Sequence, residues 1–101
     1  MIDLKEKQKE AYQNKIEKGF SVDNVEREFC FLYGEVAEAF EAYLKKKDDL
    51  EEELADIVVF TLGISEILGI DLEDAVIKKM AKNRKRIYKK NAKGVLEKVG
   101  E

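Results

Sequence analysis

The chain is predicted to be an all-α protein, built as an antiparallel helical bundle of four main helices. Three observations predict this fold. Proline is absent from the 101 residues, β-branched residues form only short runs, and apolar residues recur at intervals of three and four, the spacing of one helix face. A hydrophobic fraction of 45% suffices for one core. We therefore expect a single domain that spans residues 1–101.

Four pairs of acidic residues mark the predicted helix starts. An Asp at the N-cap and a carboxylate three residues later both interact favourably with the free N–H groups and the dipole of a helix. The pairs are Asp3 with Glu6, Asp23 with Glu26, Asp48 with Glu51, and Asp71 with Asp74. Gly19 and Gly69 stand where glycine commonly follows a helix. The predicted helices are therefore 3–18, 23–46, 49–68 and 71–90, followed by a tail that turns at residues 91–94.

The composition excludes several classes of site and protein. One cysteine cannot form an internal disulfide, and without histidine the usual zinc ligand sets cannot form. Cys30 lies between two phenylalanines and is interpreted as a core residue. No apolar run reaches the roughly 20 residues that cross a bilayer, and the N-terminal segment lacks the apolar stretch of a signal peptide. We therefore expect a cytoplasmic protein that does not bind a membrane.

Four carboxylates lie inside helices, where capping cannot explain them. Glu35 and Glu38 share a face of the second helix that apolar residues border, while Glu53 and Asp56 precede an apolar run in the third. Neither Lys nor Arg occurs in residues 28–44 or 48–77, although the second range contains ten acidic residues. Carboxylates among apolar side chains are costly unless something pairs with them. The four acids are therefore predicted to converge on a cation.

Carboxylate oxygens without histidine or cysteine suit a hard cation, so Mg²⁺ is the expected ion and Mn²⁺ a substitute. Residues 78–93 hold nine Lys or Arg and no acid. This segment is interpreted as a solvated helix face or as a nucleic-acid-binding arm, and the net charge of −3 argues against nucleic acid. A carboxylate-bound metal accompanied by basic residues is what a polyphosphate requires. Together the two features indicate a nucleoside triphosphate substrate.

The segments GEVAEAFEA, EELADIVVF and KKMAKNRKR, in this order, resemble the MazG-like group of all-α nucleoside triphosphate pyrophosphohydrolases, relatives of dimeric dUTPases and of phosphoribosyl-ATP pyrophosphohydrolase. The resemblance covers about residues 25–88. The family motif is E-x-x-E followed by E-x-x-D, with an interval that is 14 residues long here. The residues that fill the motif, which we call the motif acids, are Glu35, Glu38, Glu53 and Asp56.

The resemblance implies Mg²⁺-dependent cleavage of a (d)NTP between the α- and β-phosphates, which yields a nucleoside monophosphate and pyrophosphate, and suggests a house-cleaning role in the nucleotide pool. It implies that the motif acids bind the metal, with Glu35 and Glu38 as the catalytic candidates that activate water. It also implies phosphate contacts from Lys79, Asn83 and Arg86. Family members share a four-helix core between subunits, and the second and third helices are apolar on several faces. A homodimer or higher homo-oligomer is therefore predicted.

Two questions stay open at the level of sequence. The position before the first motif glutamate, often acidic in this family, is Gly34 here. This departure favours an alternative, a non-catalytic or weakened helical module that binds a nucleotide or a partner protein. The base is also not identified, because aromatic residues at helical spacing more often pack in a core than stack on a ligand. The aromatic candidates for stacking are Phe20, Phe29, Phe31, Tyr33 and Tyr88.

Overall fold

The computed structural model describes residues 1–100, and its four helices confirm the all-α prediction. The elements are α1 (Leu4–Glu17), α2 (Val25–Leu44), α3 (Leu50–Ile67), α4 (Leu72–Lys85), β1 (Ile87–Lys90) and β2 (Leu96–Gly100). Helices α2 and α3 form an antiparallel helical hairpin, α1 packs against α3, and α4 makes its main contacts with α1. Among the described residues, no helix is both long and apolar enough to cross a bilayer.

The predicted helix ends are confirmed in part. The side chains of Asp3 and Asp71 each accept a hydrogen bond from the backbone N–H three residues later, as predicted. Helices α2 and α3 begin later than predicted, with Asn24 and Asp49 at the N-caps. At α2 the side chain of Asn24 accepts the capping bond from the Arg27 N–H, as an Asn does as well as an Asp, so the acidic pair did not identify this start. At α3 the Asp49 side chain makes no capping hydrogen bond.

The largest difference between the predicted and the observed secondary structure lies after α4. The helix was predicted to continue to residue 90, but it ends at Lys85, and Ile87–Lys90 instead pairs in antiparallel register with Leu96–Gly100. The predicted turn at 91–94 is confirmed, because the Asn91 side chain accepts hydrogen bonds from the N–H groups of Lys93 and Val95. Strand pairing depends on a partner across the turn and on side-chain packing, which helical propensity does not describe, so the length of α4 was overestimated.

The core of one chain is small. Helix α4 buries none of its residues, and Cys30, predicted to lie in the core, is exposed. It follows the buried Glu28 by two residues and therefore lies on the opposite side of α2. The radius of gyration is 16.9 Å, against about 13 Å for a compact chain of this length. One chain thus leaves apolar helix faces uncovered; its buried apolar residues are Ala39, Ala42, Leu62 and Ile64.

Gln8 connects α1 to the turn between α3 and α4. Its buried side-chain Nε2 donates to Glu66 Oε1 at 3.0 Å and to the Ile70 carbonyl at 2.6 Å. Its Oε1 accepts from the Leu72 N–H at 3.3 Å. Both N–H groups and the carbonyl of the amide are therefore used in holding the start of α4 against α1.

Gln8→Leu is expected to lower the free energy of unfolding by about 2 kcal/mol, because it leaves part-buried backbone and carboxylate groups without partners. Urea unfolding followed by circular dichroism measures this loss. Gln13→Leu is the matched control in the same helix, since Gln13 is exposed, and its effect should stay within about 0.5 kcal/mol. Equal losses in the two variants would contradict the role of the Gln8 hydrogen bonds.

Candidate metal centre

Two adjacent helices carry the motif acids. Glu35 and Glu38 lie one turn apart in the middle of α2, and Glu53 and Asp56 lie in the first two turns of α3. Residues three apart face the same side of a helix. Because α2 and α3 are antiparallel neighbours, the two pairs can face each other across the groove between these helices.

Three of the four motif acids converge. Glu35, Glu38 and Glu53 each place a carboxylate oxygen within 4.8 Å of the others. Glu35 and Glu53 are half-buried, and Glu38 is exposed. Among residues 1–100, Oε2 of Glu35 and Oε2 of Glu53 are buried without a hydrogen-bond partner. Buried polar atoms in native proteins are normally satisfied, so these two oxygens indicate a ligand that binds between the helices.

The surroundings of Glu35 and Glu53 disfavour their negative charges. Burial is the largest cause that raises the pKa of Glu35, and the carboxylates of Glu38, Asp56 and Glu53 raise it further. Burial also raises the pKa of Glu53, followed by the charge of Glu38. Without a cation, the folded protein therefore keeps these protons at pH values where the unfolded chain has lost them. The stability that these two groups contribute consequently falls as the pH rises above their ordinary value of 4.5.

A divalent cation fits this donor set. Mg²⁺ binds carboxylate oxygens at about 2.1 Å, so oxygens on opposite sides of one ion lie about 4.2 Å apart. The carboxylates of Glu35, Glu38 and Glu53 are already close to that separation. A cation would also satisfy the two partnerless oxygens and offset the repulsion between like charges. The cluster is therefore a candidate centre for Mg²⁺ or Mn²⁺.

Asp56 stands slightly apart from the other motif acids. It is exposed, and its carboxylate does not belong to the group of three whose oxygens lie within 4.8 Å of one another. Its charge nevertheless raises the pKa of both Glu35 and Glu53. It therefore acts on the cluster electrostatically, and its role as a metal ligand stays a prediction.

The predicted phosphate contacts lie on another element. Lys79 and Asn83 are exposed on α4, and Arg86 is the half-buried C-cap residue of that helix. The main contacts of α4 are with α1 rather than with the two helices that carry the motif acids. The place of these three residues at the metal centre thus stays a prediction.

An ion pair between α1 and α2 was not predicted from the sequence. Lys15 of α1 forms a salt bridge and hydrogen bond with Glu28 of α2 through side chains that are only 17% and 5% exposed. The spacing contained a signal, because Glu28 precedes Glu35 by two helical turns and hence shares its face. The partner could not be read from the sequence, since Lys15 belongs to a different helix.

The model of the MazG-like family matches residues 19–101. Among solved structures, the chain is similar to the cyanophage S-2L MazG-like pyrophosphohydrolase bound to dGDP and three catalytic Mn²⁺ ions per active site. That superposition has a TM-score of 0.71 and covers 98% of this chain and 99% of the other, at 23% sequence identity. At this identity the similarity shows a shared fold. No curated protein matches the sequence.

Proposed function

The chain belongs to the MazG-like family, a family of nucleotide pyrophosphohydrolases, and from this premise we propose that it hydrolyses a (d)NTP between the α- and β-phosphates. The products are a nucleoside monophosphate and pyrophosphate, and the reaction depends on Mg²⁺, with Mn²⁺ as a substitute. House-cleaning of the nucleotide pool is the role this activity suits. The cytoplasmic location stays a prediction.

One observation carries the proposal. Three carboxylates from α2 and α3 converge at a position where two of their oxygens are buried without a protein partner. An arrangement of this kind is costly for a chain that binds no cation. The structurally similar cyanophage protein binds dGDP and three catalytic Mn²⁺ ions, which supports a nucleotide and a divalent metal as the ligands of this chain.

The site residues are proposed to bind the metal and to activate the attacking water. Glu35, Glu38, Glu53 and Asp56 would hold the metal, which when bound would polarise the phosphate oxygens and acidify a water molecule. Glu38 or Glu35 orients the attacking water and accepts its proton as the water attacks phosphorus in line with the leaving pyrophosphate.

Basic residues and a second copy of the chain complete the proposed enzyme. Lys79, Asn83 and Arg86 contact the phosphates, where positive charge and N–H donors offset the negative charge of the substrate. A homodimer or higher oligomer covers the apolar faces that a single chain exposes on α2, α3 and α4. The shared four-helix core predicted from the sequence belongs to this proposal.

A panel of the common NTPs and dNTPs, incubated with the purified chain and Mg²⁺, tests the function. We expect at least one substrate to yield equimolar nucleoside monophosphate and pyrophosphate, with turnover abolished by EDTA and restored by Mg²⁺ or Mn²⁺. Release of orthophosphate and a nucleoside diphosphate would contradict the proposed cleavage site. Nucleotide binding without any turnover would instead support the alternative, a non-catalytic module in which Gly34 replaces a needed acid.

A further inference from the structure

A cavity of about 350 Å³ lies between α1, α2 and α3. This volume falls within the range of roughly 300–1,000 Å³ that is usual for small-molecule sites. Its walls are mostly apolar, and its polar lining residues are the part-buried ion pair of Lys15 and Glu28 together with Asn14, Ser21 and Arg27. We call it the aromatic pocket; the lining residues that matter here are Lys15, Phe20, Glu28, Phe31 and Phe60.

The aromatic pocket and the metal centre occupy consecutive turns of the same helices. Phe31 precedes Glu35 by four residues on α2, and Phe60 follows Asp56 by four residues on α3. Each step is one helical turn, or about 6 Å along the axis, on the same face. A single nucleotide can therefore extend from one site to the other, with its sugar between the base and the phosphates.

The pocket walls suit a flat aromatic ligand. Phe31 and Phe60 meet edge to face, with ring centroids 6.4 Å apart and an angle of 66° between planes. Phe20 lies on the α1–α2 connection and is largely exposed, at 61%, although it borders the cavity. Exposed aromatic faces of this kind stack on nucleobases.

The Lys15–Glu28 pair provides a donor and an acceptor side by side. The Lys15 ammonium lies 5.8 Å from the centroid of Phe20 and 5.5 Å from that of Phe60, so the polar pair lies against the aromatic walls. Guanine presents the O6 acceptor next to the N1–H and N2–H donors. An ammonium can donate to O6 while a carboxylate accepts from both N–H groups. Adenine and cytosine offer a carboxylate only one such amino group.

We propose that the aromatic pocket binds the base of the substrate and that the Lys15–Glu28 pair selects guanine. The inference rests on the proposed function and narrows its substrate class to guanine nucleotides, with the phosphates at the motif acids and the base one to two turns away. A purely structural ion pair would stabilise the chain without affecting the preference among bases, so base preference is the property to measure.

Binding of GMP and AMP to the full chain without divalent metal tests the pocket independently of turnover. By isothermal titration calorimetry, the unmodified chain should bind GMP roughly tenfold more tightly than AMP. Phe31→Leu should weaken GMP binding roughly tenfold, because one stacking wall is lost. Phe29→Leu is the matched control, since Phe29 lies two residues away on α2 and does not line the pocket; its affinity should be unchanged.

The double variant Lys15→Met with Glu28→Leu removes both charges at similar side-chain volume. Circular dichroism should show it folded, and it should bind GMP and AMP equally.

Equal GMP affinities for Phe31→Leu and Phe29→Leu, or a guanine preference retained in the double variant, would overturn the inference. If the unmodified chain hydrolyses no (d)NTP yet binds GMP with these variant effects, the pocket stands and the proposed function fails. If it hydrolyses (d)NTPs without regard to the base, the function stands and the pocket assignment fails.

Discussion

Glu38→Gln is expected to lower kcat/KM for (d)NTP hydrolysis about a thousandfold. The substitution preserves the size of the side chain but removes one of the three converging carboxylates, and with it a metal ligand or the group that accepts the proton of water. Asp56→Asn is expected to cause a loss of similar order, because it removes a charge that acts on the same cluster. Steady-state assays of pyrophosphate release measure both effects.

Glu41→Gln is the matched control for this prediction. Glu41 lies one turn after Glu38 on the same helix, is exposed, and is bonded to Lys45. Its replacement should leave kcat/KM unchanged. The unmodified chain should also gain thermal stability from added Mn²⁺, and Glu38→Gln should lose most of this gain, as mass action requires when a ligand binds only the folded state. Retained hydrolysis in Glu38→Gln would rule out a role for the three-carboxylate cluster in catalysis.

Glu28→Ala is expected to lower the free energy of unfolding by about 3 kcal/mol, the largest stability effect that we predict for a single substitution. Glu28 is 5% exposed and its partner Lys15 is 17% exposed, so the change leaves an ammonium group in a poorly solvated position. This loss is a large share of the roughly 5–15 kcal/mol that stabilises an ordinary domain. Urea unfolding measured at neutral pH provides the value.

Two further variants distinguish the effect of leaving the Lys15 charge unpaired from the effect of removing a glutamate side chain. The double variant Lys15→Met with Glu28→Leu should recover much of the loss, because it leaves no buried charge unpaired. Breaking the exposed Glu41–Lys45 pair by Glu41→Ala should change stability little, since surface ion pairs contribute little. A Glu28→Ala variant as stable as Glu41→Ala would show that the buried pair does not stabilise the fold.

Most of the helical architecture could be predicted from the sequence, because helix formation depends on nearby residues. The capping roles of Asp3 and Asp71 and the helix-ending positions of Gly19 and Gly69 are confirmed by hydrogen bonds or by positive φ angles. The hairpin after Lys85 could not be predicted in this way, since each strand is stabilised by a partner that follows a turn. The exposed position of Cys30 was likewise missed, because burial depends on which helix face meets a neighbour.

For the candidate site, the spacing of Glu35 and Glu38 and of Glu53 and Asp56, and the absence of basic residues close to them in the chain, can be read from the amino-acid sequence. A helical repeat of 3.6 residues turns that spacing into a shared face. The packing of the helices reveals three further features: three of these carboxylates converge, two of their oxygens lack partners, and Lys15 meets Glu28 in the wall of the aromatic pocket. Distances within a helix follow from local backbone hydrogen bonds, whereas distances between helices depend on how side chains distant in sequence pack together.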